Sequence, residues 1–165
     1  MLDFGQLQAD IVKSIVKMKQ KGRKADYKVF TPEWIGATEY VPVAYKEVII
    51  FLIPRDEYLL DPKLWKPGPR VDDLFGYLND ETRKLTDTGL IVQSTGADLK
   101  VLADMEDTPI FVDSKLLKHF GSDVCFRIGK NRLQVYVLNP IGVEGLVCAV
   151  KVSKQVEDCV LGWRR

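Results

Sequence analysis

Near the start of the chain, apolar side chains recur at intervals of three and four residues, which is the spacing of one helix face. The stripe comprises Leu7, Ile11, Ile15 and Met18, widened by Val12 and Val16. Asp3 is placed to cap the first turn, and Gly22 is placed to end the last one. The pattern therefore predicts an amphipathic helix from about Gln6 to Lys21.

Short runs of β-branched and aromatic residues follow the helix and predict strands. The weaker runs cover residues 27–31, 40–45, 90–93 and 99–102, with a turn at 94–98 between the last two. Pro42 cannot donate a backbone hydrogen bond, so it places its run at a sheet edge or at the start of a strand. The run Lys46–Ile53 is β-branched and apolar almost throughout, which predicts a strand buried on both faces.

The C-terminal part predicts a strand, a short helix and three further strands. The predicted strands cover residues 110–112, 124–128, 132–138 and 146–153, with turns at 129–131 and 139–142. Asp113 caps the predicted helix Ser114–Phe120, and Gly121 ends it. Together these elements predict one α+β domain, a mostly antiparallel sheet with two main helices packed on one face.

The middle of the chain is rich in proline, with four of the eight prolines between residues 54 and 69. Such a stretch is neither a regular helix nor a central strand. It carries too many apolar side chains for a flexible linker, so we expect a structured loop. Its candidate protein-binding residues are Tyr58, Leu64 and Trp65. Weak helical periodicity follows over residues 71–84.

We divide the single domain of 165 residues into three parts. They are an N-terminal half (1–53), a proline-rich and acidic insertion (54–108), and a C-terminal half with a short tail (109–165). The net charge is only +1, but basic residues exceed acidic ones by two in the first part and by four in the third. In the insertion acidic residues exceed basic ones by five. Basic ends around an acidic middle are compatible with a nucleic-acid-binding surface or with ordinary solvation.

Lysines are concentrated on one side of the predicted first helix. Lys13, Lys17, Lys21 and Lys24 fall within about 80° of one another on a helical wheel, opposite the apolar stripe. Like charges in one column repel each other, so a negatively charged partner would stabilise them. In the absence of such a partner they form a solvated lysine-rich surface.

Composition argues against several classes of protein. The longest strongly apolar run, Val48–Pro54, is much shorter than the roughly 20 residues that cross a bilayer. We recognise no secretory signal, and three cysteines (Cys125, Cys148 and Cys159) are too few for a disulfide scaffold, so a cytoplasmic protein is expected. The single histidine, His119, excludes two-histidine metal sites. No nucleophile or cofactor-binding motif is present, so we expect neither catalytic residues nor a metal nor a cofactor.

One acidic motif keeps a nuclease hypothesis open. Asp113-Ser114-Lys115 has the D-x-K form, in which two residues on one strand face hold a metal ion and a water molecule. An earlier carboxylate, Asp87 or Asp104, would complete a Mg²⁺ site. The alternative is that Asp113 only caps the following helix.

The segment Phe111–Ser153 resembles the repeated half-domain of DNA polymerase sliding clamps, the processivity factors. In that family a strand leads into a helix with a Leu-Leu…Phe pattern, as at Leu116, Leu117 and Phe120, and three antiparallel strands follow. Leu146–Val152 is similar to the closing strand, and Asn131–Leu138 to the strand before it. Residues 1–53 form a looser second copy. The resemblance implies two such halves with their helices side by side on a surface that faces DNA.

The resemblance also implies a function and its residues. We expect a non-enzymatic, clamp-like accessory protein of DNA replication, from a phage or mobile element, that contacts the phosphates of double-stranded DNA without sequence specificity. The expected contacts are Lys13, Lys17, Lys21, Lys24, Lys115 and Lys118. Clamps close with six domains, so encirclement by this chain implies a homo-oligomer, and a replication protein is the expected partner. The alternative is a protein-binding adaptor or inhibitor that uses Tyr58, Leu64 and Trp65 as its anchor.

Overall fold

A computed structural model describes residues 1–22, 24–68, 70–75, 82–129 and 132–164. Its α-helices are α1 (Phe4–Lys21), α2 (Val71–Phe75) and α3 (Lys154–Arg164). Its strands are β1 (Tyr27–Val29), β2 (Glu33–Ile35), β3 (Thr38–Tyr45), β4 (Ile49–Pro54), β5 (Arg83–Ser94), β6 (Ala97–Ala103), β7 (Pro109–Asp113), β8 (Cys125–Ile128), β9 (Gln134–Leu138) and β10 (Val143–Cys148). Short 3₁₀ turns lie at Arg55–Glu57, Pro62–Leu64 and Ser114–Leu117.

The strands form one ten-stranded antiparallel sheet in the order β1-β3-β4-β10-β9-β8-β5-β6-β7, with β2 also paired to β3. The predicted α+β class is confirmed. The order mirrors itself about the central pair, in which Phe51 of β4 lies opposite Gly145 of β10. On one side of that pair the chain runs β1-β3-β4, and on the other β8-β9-β10. The two halves therefore have the same strand arrangement.

The sheet curls until its last strand returns to the segment after β10. Strand β5 pairs with β8 as far as Leu85, and its register with β6 shifts between Asp87 and Ile91. At the far end, the amide of Val150 donates to the carbonyl of Phe111 on β7 at 2.8 Å, in an isolated antiparallel bridge. Residues 83–103 of the predicted insertion thus belong to the sheet.

Apolar side chains form three clusters, one on the inner surface of the curl and two on its outer surface. The inner cluster includes Leu7 and Ile11 of α1 together with residues of β4, β9 and β10. On the outer surface, α2 packs over β4, β9 and β10, with Phe75 against Tyr136 at 5.8 Å between ring centroids. There α3 covers β5–β7 through Val160.

The arrangement of helices differs from the predicted one. The helix predicted at Ser114–Phe120 is instead a four-residue 3₁₀ turn, Ser114–Leu117, on the same surface as α1. A segment of seven residues is too short to be a stable helix by itself, so tertiary packing decides its form. The predicted C-terminal tail forms α3, which lies on the outer surface. Of the helix predicted at 71–84, Val71–Phe75 is present as α2, and residues 76–81 lie outside the described part of the chain. The prediction is wrong at its end, because Arg83 and Lys84 belong to strand β5, where they pair with β8.

Local signals at the ends of α1 act as predicted. The Asp3 carboxylate accepts the amide of Gln6 at 3.0 Å. At the other end Gly22 has φ 63° and its amide bonds to the carbonyl of Met18. The side chain of Asp113 likewise caps the 3₁₀ turn by accepting the amide of Lys115. These capping bonds satisfy backbone groups that a short element leaves open.

The prediction that the Pro42 strand lies at a sheet edge or begins at the proline is wrong. The strand lies inside the sheet, with β4 on one side and β1 and β2 on the other. The carbonyl of Pro42 accepts the amide of Phe30 at 2.9 Å, just where β1 has ended and β2 has not begun. The missing N–H of Pro42 therefore falls at a gap in the neighbouring ladder, which makes proline tolerable in an interior strand.

The strand predicted at Lys46–Ile53 is present from Ile49 onward as β4, with most of its residues buried, whereas Lys46–Val48 form the turn that precedes it. The turn predicted at 139–142 is also present, since the side chain of Asn139 accepts the amides of Ile141 and Gly142. The turn predicted at 129–131 lies mostly outside the described residues. Within the described part of the chain, no helix combines the length and apolar character that a membrane crossing requires.

Candidate functional site

Helix α1 and the 3₁₀ turn Ser114–Leu117 meet at Asp10. The Lys118 Nζ and the His119 Nε2 each lie 3.1 Å from the Asp10 Oδ2. The amide of Asp3 donates to the carbonyl of His119 at 2.8 Å, which fixes the backbone that follows the turn to the start of α1. Residues far apart in sequence are thus brought onto one surface.

This contact places Lys118 beside the lysines of α1. Lys13, Lys17 and Lys21 are exposed, and we call them the α1 lysine column. Lys17 lies seven residues after Asp10, which puts it roughly 10 Å along the helix axis on nearly the same side. Among the described residues, no carboxylate oxygen lies within 4.0 Å of the ammonium groups of this column. The column is therefore an uncompensated row of positive charge.

The other two predicted lysines are placed differently. Lys24 is exposed and lies beyond the C-cap of α1. It therefore follows the column in sequence but is not on the helix. Lys115 is exposed and lines a cleft next to Lys118. The structure thus brings Lys118 directly against α1, while Lys115 lies with it at the cleft.

The Asp10 contact has a distinct electrostatic character. Burial raises the pKa of the Asp10 carboxyl, but the Lys118 ammonium and the Gln6 amide outweigh it, so the pKa lies below its usual value. Burial, and then the charge of Lys118, lower the pKa of His119. His119 is only 3% exposed and its ring packs edge-on against Phe51 at 5.5 Å. Near neutral pH it is an uncharged buried imidazole.

The cleft has a volume of about 770 Å³, and we call it the inner cleft. Its residues include Tyr27, Tyr45, Lys46, Phe51, Asp113, Lys115, Leu116, Lys118, His119 and Cys148. The rings of Tyr27 and Tyr45 form one wall, with their centroids 4.8 Å apart. Burial, and then the charge of Asp10, raise the pKa of Tyr27 to about 12, so its hydroxyl stays protonated.

A turn with unusual backbone geometry brings Lys46 to the rim of the inner cleft. The amide of Val48 donates to the carbonyl of Tyr45, and the residues between them, Lys46 and Glu47, have φ 47° and 60°. Asn and Gly favour such left-handed positions, whereas long side chains carry a penalty there. The Lys46 Nζ lies 5.3 Å from the centre of the Tyr45 ring.

The apolar residues of the proline-rich loop face inward. Tyr58 is 6% exposed, and Leu64 and Trp65 are half-buried against the inner cluster. The side chain of Gln8 on α1 holds the loop by accepting the amide of Leu59 and donating to the carbonyl of Glu57. These contacts favour a structural role for the three predicted anchors, because they close the core.

The carboxylates of the nuclease hypothesis are engaged separately. Asp87 pairs with Lys100 at 2.7 Å, and Asp104 pairs with Arg132 at 2.9 Å. The Asp113 carboxylate caps the 3₁₀ turn. Among the described residues, no three acidic, histidine or cysteine side chains cluster as metal ligands. The chain thus distributes these carboxylates over different contacts.

Sequence reasoning missed the tyrosine wall, Lys46 and the contact between Asp10 and His119. One available signal was that Tyr27 and Tyr45 each directly precede a lysine. Their meeting depends on the register of β1 against β3, in which Tyr27 lies opposite Tyr45. Comparison with protein families, with curated proteins and with solved structures finds no match to this chain.

Proposed function

We propose that this chain is a cytoplasmic, non-enzymatic, clamp-like accessory protein of DNA replication that holds duplex DNA by its phosphates. The α1 lysine column, Lys118 and Lys115 provide the contacts, and Lys24 extends them. Phosphate contacts supply affinity and orientation without reading the base sequence. Several copies of the chain, together with a replication protein, complete the working assembly.

The observation that carries this proposal is the position of Lys118 against Asp10, 3.1 Å away. It joins a cation from the C-terminal half to the lysine-bearing helix of the N-terminal half. The lysines of α1 have no carboxylate partner within 4.0 Å among the described residues, so their repulsion is relieved only by solvent or by an anion. DNA phosphates are closely spaced anions that suit such a row.

The mirrored halves give the proposal further support. The order β1-β3-β4 on one side of the central pair repeats as β8-β9-β10 on the other. Each half places its helical element on the inner surface, α1 in one and the 3₁₀ turn in the other. The resemblance to sliding clamps implies two halves of this kind with one helix each; here the second helical element is much shorter and no strand precedes α1 in the described residues 1–3.

The proposal is tested by fluorescence anisotropy with a short labelled duplex over a series of NaCl concentrations. We expect binding that weakens steeply with salt and does not depend on sequence, with a log–log slope of about −0.9 per phosphate contact. The triple variant Lys13→Glu, Lys17→Glu, Lys21→Glu should make the slope shallower by about 2–3.

A matched control carries the same charge change on exposed lysines outside α1 and the 3₁₀ turn: Lys63→Glu, Lys66→Glu and Lys154→Glu. The control should retain most of the salt slope. If both triple variants lose the same amount of salt slope, the effect comes from net charge and not from the position of the lysines. A slope near zero for the unmodified protein would reject the proposal. Light scattering with duplex present should show several chains per DNA. If only one chain binds, the proposal that several copies encircle DNA is wrong.

A further inference from the structure

The inner cleft joins an aromatic wall to a cationic rim. The wall consists of the Tyr27 and Tyr45 rings, and the floor includes apolar side chains such as Phe51 and Leu116. Three lysines, Lys46, Lys115 and Lys118, line the cleft with one carboxylate, Asp113. At about 770 Å³, its size falls in the range of sites that enclose small organic ligands.

A buried polar group in this cleft lacks a hydrogen-bond partner. His119 lines the cleft and its side chain is 2% exposed, yet neither ring nitrogen completes a hydrogen bond with a described residue. The Nε2 is close to Asp10, but the geometry does not meet that of a hydrogen bond. An unsatisfied buried polar group destabilises a fold, and a bound water, ion or ligand can supply the missing hydrogen bond.

The hairpin turn between β3 and β4 places two long charged side chains at positions where Asn and Gly are usual. Both Lys46 and Glu47 adopt positive φ although neither is Gly or Asn. Non-glycine residues in this region are disfavoured and persist where the surrounding structure holds them, as the turn between β3 and β4 does here. Here the turn carries the Lys46 ammonium over the Tyr45 ring.

We infer that the inner cleft binds a nucleotide, with the base against the tyrosine wall and the phosphate between Lys46, Lys115 and Lys118. A flat ring matches stacking on aromatic side chains. A phosphate carries nearly two negative charges and suits the Lys46 and Lys115 ammonium groups, with Lys118, already paired to Asp10, as a third contact. The inference rests on the proposed function in sharing Lys115 and Lys118 with it, and adds a ring-binding wall that duplex contacts do not use.

The chain contains a reporter for this site. Cys148 is exposed and lines the cleft, and packing around its sulfur raises the pKa of the thiol. The other free cysteines, Cys125 and Cys159, are exposed outside the cleft. In a Cys125→Ser, Cys159→Ser protein, a maleimide therefore reports on Cys148 alone. Ligand in the cleft should slow its reaction.

Adenosine monophosphate is the first probe, with adenosine and inorganic phosphate as its two halves. When free nucleotide exceeds Kd about tenfold, the labelling rate should fall about tenfold. Each half alone should protect much less. Unchanged labelling with the nucleotide would overturn the inference. Equal protection by phosphate alone would do so as well, because the tyrosine wall would then have no role.

Free nucleotides and single-stranded DNA offer the same chemistry, so a short oligothymidylate is a further arm. Protection by the oligonucleotide at much lower concentration assigns the cleft to a strand, and protection by the mononucleotide alone assigns it to a free nucleotide. Either result supports the inference. An acidic peptide that protects as strongly as the nucleotide would contradict it.

Two neighbouring substitutions separate binding from folding. Lys46→Asn and Glu47→Asn both place a favoured residue at positive φ, so each should raise Tm by about 1–4 °C. Only Lys46→Asn removes a cation from the rim, so it alone should abolish nucleotide protection. If Lys46→Asn is stabilised and still protected normally, the assignment of the phosphate position is wrong.

The two proposals fail in different ways. The triple variant Lys13→Glu, Lys17→Glu, Lys21→Glu should lose duplex binding and keep nucleotide protection, since these lysines do not line the cleft. The variant Lys46→Asn should show the reverse. Loss of both activities in either variant would mean that the cleft and the lysine column are not separate sites.

Discussion

The two halves of the sheet share a strand order and differ in what covers them. On the N-terminal side an 18-residue helix, α1, packs on the inner surface. On the C-terminal side the same position in the chain order holds only the four-residue turn Ser114–Leu117. The turn covers less of the inner surface than α1 does. The inner cleft lies beside the turn and is lined there by Leu116 and Lys118.

This difference separates what the strands determine from what the helical elements determine. The mirrored order and the central pair of β4 and β10 do not require equal helices. A short covering element leaves room for a cleft, whereas a long one provides an extended row of charges. The fold thereby places the α1 lysine column and the inner cleft next to each other.

The largest expected effect comes from removing the anchor of the long helix. Ile11 of α1 is 1% exposed, and Ile11→Ala should lower the free energy of unfolding by about 3–4 kcal/mol, since it leaves a cavity. Leu116 in the short turn is only half-buried, so Leu116→Ala should lower it by about 1–2 kcal/mol. Urea denaturation measures both.

A neighbouring position serves as the control for this pair. Val12, next to Ile11, is 44% exposed, so Val12→Ala should change the free energy of unfolding by less than about 0.5 kcal/mol. Equal destabilisation by Ile11→Ala and Leu116→Ala would show that the short turn anchors its half as firmly as α1 does, and the contrast between the halves would fail.

The next effect tests the junction between the halves. A Cβ at Gly145 would lie 2.5 Å from the Ile50 carbonyl oxygen and 3.0 Å from the Phe120 ring. Gly145→Ala should therefore lower the free energy of unfolding by about 1–3 kcal/mol, because strand β4 must move. At Gly142 the nearest atom would be 3.7 Å away, the Tyr40 hydroxyl. Gly142→Ala should be nearly neutral, and a similar loss in both variants would contradict a tight junction.

A smaller effect concerns pH at the contact between α1 and the short turn. The groups that face His119 are Asp10 and Asp3 from α1 and its cap, Lys118 beside it, and the apolar Phe51 from β4. The pKa of His119 is lowered on folding, so the unfolded chain binds its proton more readily. Its stability contribution is full above the unfolded pKa of 6.5 and is lost as the pH falls toward the folded pKa.

Protonation of His119 should lower the free energy of unfolding by at most about 1.4 kcal/mol per pH unit. Urea midpoints measured from pH 8 downward in about half-unit steps should fall below pH 6.5 in the unmodified protein. In His119→Gln this decline should disappear, while the loss caused by protonation of carboxylates remains at lower pH. Parallel curves for the two proteins would show that His119 is not the group responsible.

The sequence carried enough information for elements with strong local signals. Asp3 and Gly22 define the ends of α1 by capping, and the apolar run of β4 requires a buried strand. The 3₁₀ turn was predicted as a helix because Asp113 caps both kinds of element and Leu116, Leu117 and Phe120 fit either period. Only tertiary packing distinguishes the two.

The C-terminal helix shows a signal that was present and missed. Val152, Val156 and Val160 repeat at intervals of four residues, and Val160 is fully buried against the outer surface of β5–β7. Pro42 was misread for another reason. Its place in an interior strand depends on a gap between two other strands, which no local pattern encodes.

The candidate site was predictable only in part. The lysines of α1 follow from helical periodicity, because their common side is fixed by residue spacing. The inner cleft depends on which residue of β1 faces which residue of β3, and on where the chain returns after β7. Tyr27, Tyr45 and His119 are separated by long stretches of sequence, so their meeting is a property of the whole fold.

The single bridge between Phe111 and Val150 gives the curled sheet a seam. Every other junction along the curl is a ladder of several residue pairs, whereas this one depends on a backbone contact at one position. Under mechanical load or in mild denaturant, the sheet should open first at the Phe111–Val150 bridge. The Val150 amide would then exchange with deuterium well before the amides of β6. The sheet would open between β7 and the segment after β10, while β1-β3-β4 and β8-β9-β10 remain paired.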